Sequence, residues 1–161
     1  MATKKPLARP RSLGQLLTFA TAATGAMCQD MLARHDLTLA QWVILSALWR
    51  RDGMLVREIA EYSGNNAPAA SRIIDRMVER GLVTRQAASD DKRVVRVHVT
   101  DVGRSLEHLR DFHERVNARL LDGISAEEAE TLTCLLKRVD ANARRATGSD
   151  QWPKTTDPLN E

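Results

Sequence analysis

Segment 66–72 lies at the start of a candidate helix. It combines very small side chains with side chains that can donate hydrogen bonds. Asn66 is a good N-cap, because its side-chain oxygen can accept a hydrogen bond from a first-turn amide, and Pro68 suits a position whose amide has no helical partner. The small side chains let another molecule approach the backbone, so that Ser71 and Arg72 can reach polar edges or anionic groups. The candidate binding residues here are Asn66, Ala67, Pro68, Ala69, Ser71, Arg72 and Arg76.

A second group of charges, Asp91, Lys92 and Arg93, lies at the tip of a candidate hairpin. Its cations can bind a polyanion, and a narrow groove of negative potential attracts arginine in particular. Asp91 can hold the Arg93 guanidinium in place rather than contact the anion. Both groups therefore predict hydrogen bonds and ion pairs with an anionic partner.

Hydrophobic periodicity predicts the elements that position these residues. Segment 70–78 has a helical period and predicts one buried stripe, made of Ala70, Ile73, Ile74, Met77 and Val78. Segment 58–62 predicts a short helix, and segment 54–56 a small strand. Segments 82–85 and 95–100 change to a period of two, which predicts two strands joined by the charged tip.

Longer helices are predicted on both sides of this region. Ser12 can cap a long amphipathic helix, and segment 39–49 is apolar on nearly all sides, which places it in the middle of the molecule. Downstream, Thr100 can cap one long helix with an apolar stripe over 102–120. A capping box at 125–128 begins the last helix, whose stripe is Leu132, Leu135, Leu136 and Val139.

The order of helix, short helix, turn, polar-faced helix and charged ribbon is typical of a winged helix-turn-helix. The fold class is therefore mostly α with a small β-wing, and long terminal helices flank the winged domain. A helix of this kind fits the major groove of duplex DNA with its N-terminal residues at the base edges. The predicted partner is double-stranded DNA, and the hairpin tip is expected in the adjoining minor groove.

The domain boundaries follow from these elements. The terminal helices carry more apolar surface than a winged domain needs, and burial in a second copy is the ordinary solution. We expect a basic disordered tail (1–11), a dimerisation helix (12–36), a winged helix-turn-helix domain (37–100), C-terminal dimerisation helices (101–147) and a flexible tail (148–161).

Five segments resemble MarR-type transcription regulators in the same order. They are Thr38–Leu45 followed by Leu48, then 58–60, 71–83, 91–93 and 99–103. The most specific part is the Asp-x-Arg of the hairpin followed by Thr-x-x-Gly, and the resemblance covers roughly residues 12–145.

This resemblance implies a homodimer whose winged domains bind two half-sites of a pseudo-palindromic operator, and it favours a repressor. It also implies that a small ligand or an oxidant loosens DNA binding by changing the spacing of the winged domains. The family's ligand cleft lies between the dimer part and the winged part, so the candidate ligand residues are Met27, Met31, Trp42 and Ser46. A small aromatic or amphiphilic effector fits such residues, although Trp42 also has an interpretation as a core residue.

Other function classes find little support. The sequence contains no Gly-rich phosphate loop and no nucleophile elbow, so we expect no enzyme activity and no cofactor. His108 and His113 are five residues apart, which does not align two imidazoles for a metal ion. No apolar run in the 161 residues approaches the ~20 residues of a membrane span, and no secretory signal is expected, so a cytoplasmic location is predicted.

Two alternatives stay open at this point. The net charge of the whole chain is only +3, and segment 57–104 has nine basic and seven acidic residues. Arg76 can therefore pair with neighbouring acids, and the winged domain can be a protein-interaction module that does not bind DNA. The second alternative is a redox-responsive regulator that uses Cys28, although a packing role is favoured for both Cys28 and Cys134.

Overall fold

The computed structural model describes residues 12–87 and 95–147. Its helices are α1 (Leu13–Ala33), α2 (Leu39–Arg50), α3 (Val56–Tyr62), α4 (Ala67–Glu79), α5 (Asp101–Arg104), α6 (Phe112–Leu120) and α7 (Ala126–Thr147), with a 3-10 turn at Glu107–Leu109. Its strands are β1 (Met54–Leu55), β2 (Val83–Ala87) and β3 (Val95–Val99). The predicted fold class is confirmed. None of the described helices has the length and apolar character needed to cross a membrane.

The chain divides into two compact units between Leu39 and Ala40. In the first unit, Ser12 caps α1 as predicted, because its hydroxyl accepts the Gln15 N–H at 3.4 Å. The Gln29 side chain donates to the Leu37 carbonyl at 3.2 Å and so fastens the chain that follows α1.

The second unit contains α2 from Ala40 onward and the described elements that follow it. Eight of the twelve residues of α2 are buried, including the polar Gln41 and Ser46. The prediction that this apolar helix lies inside the molecule is confirmed. Its two polar side chains have partners, since Gln41 accepts from Arg80 at 3.1 Å and Ser46 donates to the Val43 carbonyl at 2.8 Å.

Helices α3 and α4 form the helix-turn-helix. Ala70, Ile74 and Met77 are buried as predicted, whereas Val78 is 39% exposed. The stripe is narrower than predicted because each helical residue turns about 100°, which places Val78 about 80° around the helix from Ala70. Gly81 ends the segment at φ +67, a left-handed conformation that glycine adopts without strain.

The wing is a three-stranded antiparallel sheet in the order β1-β3-β2. Met54 pairs with Val97, and Val83 pairs with Val99. The side chains of Val83, Val97 and Val99 are buried, whereas Val95 is 37% exposed. The predicted alternation of strand faces is therefore confirmed for Val97 and Val99 but not for Val95.

Asp52 fastens the base of the wing to the loop after α2. Its carboxylate accepts the Val99 N–H at 2.8 Å and lies 3.1 Å from His98 Nδ1 and 3.5 Å from Arg104. Partial burial acts to raise the pKa of Asp52, but the hydrogen bonds from Val99 and His98 outweigh it and lower the pKa below its ordinary value. These contacts therefore hold the base of the wing in a fixed position relative to the loop after α2.

The predicted single helix over 102–120 is wrong. This stretch is divided into α5, the 3-10 turn and α6. At the breaks, two indoles of α2 donate to backbone carbonyls: Trp49 Nε1 donates to Gly103 O at 3.1 Å, and Trp42 Nε1 donates to Leu109 O at 2.9 Å. Arg110 donates in turn to the Trp49 carbonyl at 2.8 Å. These long-range bonds compensate for the lost helical bonds.

The last helix, α7, begins with the predicted capping box. Ser125 Oγ accepts the Glu128 N–H at 3.2 Å, and the Glu128 carboxylate accepts the Ser125 N–H at 2.9 Å. The backbone hydrogen bond from Ser125 is the main reason why the pKa of Glu128 is lowered. No residue of α7 is buried, and Leu132, Leu135 and Leu136 are 42–48% exposed. The apolar stripe of α7 is therefore uncovered in the single chain.

Candidate nucleic-acid interface

The N-terminus of α4 is exposed and tightly defined. Asn66 has extended backbone geometry and its side-chain oxygen accepts the Ala69 N–H at 2.9 Å, which confirms the predicted N-cap. Asn66, Ala67 and Pro68 are exposed, and Ala69 is half-buried. Since alanine and proline side chains end close to the backbone, a partner can approach this end of the helix, where the helix dipole favours negative charge.

The turn before α4 is held by its own side chains. Ser63 Oγ donates to the Ile59 carbonyl at 2.8 Å, and Asn65 Nδ2 donates to Ser63 Oγ at 3.0 Å. Gly64 has φ +65 and takes the left-handed turn between the two helices. The angle between α3 and α4 is therefore set by local bonds, which gives the exposed end of α4 a fixed position on the domain.

Two arginines of α4 face solvent. Arg72 extends back over the first turn, where its Nε lies 3.4 Å from the Pro68 carbonyl. Arg76 has no ion pair with any other described residue, so the alternative that it pairs with Asp75 or Glu79 is not observed there. Arg80 differs, since it donates to Gln41 on α2. The two cations that remain for a partner on this part of α4 are Arg72 and Arg76, among the residues described.

Ser71 has a partner that the sequence analysis missed. Arg85 on β2 donates through Nη2 to Ser71 Oγ at 2.9 Å and to the Ser71 carbonyl at 3.3 Å. The same nitrogen lies 2.8 Å from Asp75 Oδ1. The sequence does contain a signal for this contact. Arg85 is two residues beyond the buried Val83 on the same strand face, and Ser71 and Asp75 are one helical turn apart.

The charged hairpin tip lies outside the described residues. Asp91, Lys92 and Arg93 belong to segment 88–94, and their predicted contacts with DNA stay predictions. The last pair of the described ribbon is Ala87 with Val95, so this segment joins the ends of β2 and β3.

A cavity of about 860 Å³ lies in the second unit between α2 and α6. The described residues that line it are Trp42, Val43, Ser46, Arg50, Tyr62, Arg110, Asp111, His113, Glu114 and Asn117. Two predicted ligand residues, Trp42 and Ser46, are therefore part of its wall, whereas Met27 and Met31 are not. The Trp42 ring packs at 4.9 Å against Phe112, so Trp42 is both a core residue and a wall of the cavity.

Cys28 does not have the surroundings of a reactive thiol. It is buried, and burial raises the pKa of its thiol, which lowers the fraction of thiolate at neutral pH. Cys134 is exposed on α7. In the described part of the chain, no group of three or more His, Cys, Asp or Glu side chains is placed to hold a metal ion.

Comparison with known proteins places these features in a family. The family model described as "MarR family" matches residues 37–95. The chain is 32% identical over 148 residues to the HTH-type transcriptional regulator TtmR of Methylorubrum extorquens, covering 89% of this chain and 75% of that protein.

Solved structures give the same result. A cysteine-to-serine mutant of MarR from E. coli, complexed with operator DNA, aligns with a TM-score of 0.73 and 26% identity, over 79% of this chain and 92% of that one. BpsR from Bordetella bronchiseptica, whose DNA binding is regulated by 6-hydroxynicotinic acid, aligns with a TM-score of 0.74 and 25% identity, over 84% and 98% of the two chains.

Proposed function

Because the chain belongs to the MarR family of DNA-binding transcription regulators, we propose that it is a homodimeric repressor that releases its operator when a small ligand binds. TtmR is named as a transcriptional regulator, and the matched family is one of regulators and not of enzymes. The observation that carries the proposal is the exposed N-terminus of α4, capped by Asn66 and flanked by the solvent-facing cation of Arg72.

In the bound state, the first turns of α4 lie in the major groove. Small side chains allow the helix to approach the DNA closely. Ser71 and Arg72 contact base edges or phosphates, and Arg76 contacts the sugar-phosphate backbone of the DNA. The residues proposed for this surface are Asn66, Ala67, Pro68, Ala69, Ser71, Arg72 and Arg76. The hairpin tip, with Asp91, Lys92 and Arg93, is proposed to enter the minor groove.

Dimerisation is proposed to use α1, α6 and α7. The uncovered stripe of α7 supports this, as do Leu13, Leu16 and Phe19 on α1, which are each about half exposed. A C2 dimer presents two copies of α4 to half-sites about one helical turn (~34 Å) apart. This spacing matches a pseudo-palindromic operator.

The proposed ligand site is the cavity between α2 and α6. Trp42 and Tyr62 supply apolar and aromatic surface, while Arg50, Arg110 and His113 supply positive or donor groups. This combination suits a small aromatic acid. A ligand regulates only if its affinity differs between the two states of the dimer, so the proposed ligand binds a geometry in which the two α4 helices mismatch the half-sites.

The rival function is a protein-interaction module, which the near-neutral charge of segment 57–104 favours. Fluorescence anisotropy with a duplex from the protein's own upstream region separates the two, with a scrambled duplex as the control. We expect tighter binding to the upstream duplex and affinity that falls steeply with salt. Absent or salt-insensitive binding supports the rival.

Substitution of single cations should separate base recognition from phosphate binding. We expect Arg72→Ala to lose the preference for the upstream duplex, and Lys92→Ala to weaken both duplexes and lower the salt slope by about one unit. Arg119→Ala is the matched control, because Arg119 is an exposed cation on α6 outside this surface, and sedimentation velocity confirms that the variant has the oligomeric state of wild type. Preference and slope unchanged in both variants would show that the surface is assigned wrongly.

The effector site predicts a tryptophan signal that depends on one indole. Titration with 6-hydroxynicotinic acid or benzoate should change the emission of wild type and of Trp49→Phe, but not of Trp42→Phe, because Trp42 is the one tryptophan of residues 12–87 and 95–147 that lines the cavity. Each substitution removes one indole hydrogen bond to a backbone carbonyl, so the two variants are matched. Release of DNA by peroxide, with no response to any aromatic acid, would instead support regulation through Cys28.

A further inference from the structure

A side-chain contact from Arg85 joins β2 to α4 beside the proposed DNA-binding surface. A single guanidinium nitrogen of Arg85 donates to Ser71 Oγ at 2.9 Å and lies 2.8 Å from the Asp75 carboxylate. The Arg85 side chain is 32% exposed and Asp75 is 56% exposed, so the pair lies at the edge of the surface that α4 presents. The Arg85–Asp75 pair can therefore influence which hydrogen-bonding groups of α4 are available to DNA.

The contact determines the hydrogen-bonding state of Ser71. A serine hydroxyl has one proton to donate and two lone pairs that accept. Arg85 can only donate, so the Ser71 oxygen is its acceptor. Among the residues described, no acceptor receives the Ser71 proton, including the helix carbonyl one turn back, which Thr18, Ser63 and Thr133 use at their own positions. The Ser71 hydroxyl is thus left with its proton to donate and with only one of its two lone pairs.

The contact also neutralises Arg85. Its charge is matched by Asp75 at ion-pair distance, and its Nη2 already contacts three acceptor atoms on α4. A bidentate contact with a phosphate would compete with these contacts, because it uses N–H groups of two nitrogens, whereas the other N–H groups of Arg85 can make only single hydrogen bonds. The geometry therefore favours an indirect role for Arg85, through Ser71.

We propose that Arg85 is a positioning residue for base recognition: it orients the Ser71 hydroxyl as a donor, so that α4 prefers a base pair presenting an acceptor opposite Ser71. This inference rests on the proposed placement of α4 in the major groove. Purine N7, guanine O6 and thymine O4 are acceptors there, whereas adenine N6 and cytosine N4 are donors. Arg85 occupies one lone pair and places a cationic donor beside the hydroxyl, which disfavours a second donor there. Without Arg85 both lone pairs are open, the hydroxyl donates or accepts equally well, and the preference becomes broader.

The test is base preference measured with a pool of randomised duplexes. Each protein selects from the same pool, and binding of the selected duplexes is measured by anisotropy. The variants are Arg85→Met, which removes the donors but keeps a long side chain, Arg85→Lys, which keeps a charged donor, Ser71→Ala and the double variant. A thermal melt of each confirms that it is folded.

We expect wild type to prefer an acceptor at one position by about 3- to 10-fold, the range of one net hydrogen bond. Arg85→Met should reduce that preference to about 2-fold or less, while Arg85→Lys should restore most of it. Ser71→Ala should abolish the preference, and adding Arg85→Met to it should change nothing further at that position, because the two residues act as a unit.

Three results would overturn the inference. Arg85→Met could weaken all duplexes equally with the preference intact, which is a purely structural role. It could lower the salt slope by about one unit, which is a direct phosphate contact. Ser71→Ala could leave every preference unchanged in a protein that still selects a sequence, so that Ser71 does not read a base. If wild type selects no sequence at all, the proposed function itself fails.

Discussion

Leu135→Glu is expected to give a folded monomer that binds the operator at least about 100-fold more weakly than wild type. A second linked half-site raises affinity by about 10²–10⁴-fold, and a monomer loses that gain. Leu135 is 48% exposed and lies on a helix without any buried residue, so the substitution removes nothing from the core of the single chain. In a dimer, however, the new carboxylate would be buried without a partner, which is strongly unfavourable.

Sedimentation velocity and anisotropy on the same samples measure the effect, and far-UV circular dichroism confirms folding. Val102→Glu is the matched control, because Val102 is 55% exposed but belongs to the short helix α5. It should stay dimeric and bind normally. A Leu135→Glu protein that remains dimeric would contradict the proposed interface, and a monomer with full affinity would contradict the need for two half-sites.

Gly103→Ala is expected to lower the free energy of unfolding by about 3 kcal/mol, the upper part of the range for overpacking. A β-carbon at Gly103 would collide with the Leu82 carbonyl oxygen and lie 2.7 Å from Val99 Cγ2. The carbonyl is not free to move, since it accepts the Thr100 N–H at 3.1 Å and the Thr100 hydroxyl at 3.0 Å. The Gly103 carbonyl is also the acceptor of the Trp49 indole.

Urea denaturation measures this difference, and Gly25→Ala is the control. Gly25 lies within α1, and apart from the adjacent backbone of that helix no atom of the described residues would lie within 4 Å of an added β-carbon. That substitution should raise stability by about 0.5–1 kcal/mol, because alanine is the better helix former. If both glycine variants behave alike, then Thr-x-x-Gly does not hold the wing to α5 in the way described.

Much of the fold could be predicted because it follows from local rules. The alternation of Val95, Val97 and Val99 predicts a strand, and the caps at Ser12, Asn66 and Thr100 are local hydrogen bonds that the residue types favour. The apolar segment that becomes α2 could be placed inside the molecule from its composition alone.

The break in the helix after Thr100 could not be predicted in this way. The apolar stripe continues through it, and the compensating bonds come from Trp42 and Trp49, 67 and 54 residues distant in the chain. No local pattern indicates that an indole will bind a particular carbonyl. The lining of the cavity could be predicted only in part for the same reason. The sequence indicates Trp42 and Ser46, whereas Tyr62, Arg110 and His113 are brought to the cavity by tertiary packing.

Arg85 illustrates a different limit. Its position on the helix-facing side of β2 was readable, but its pairing with Ser71 and Asp75 depends on how α4 packs against the sheet. Counting charges along the segment treats Arg85 as one more cation for DNA. In the fold, Arg85 is paired with residues of α4. The number of cations available to DNA is therefore smaller than the number of basic residues in the segment.

If two copies of α4 lie in the major groove of one duplex, they should protect guanine N7 from dimethyl sulfate, because N7 faces that groove. We expect two clusters of protected guanines about ten base pairs apart, both lost in the Ser71→Ala/Arg72→Ala double variant. Binding that leaves every guanine N7 reactive, or that protects a single cluster, would contradict this placement of α4.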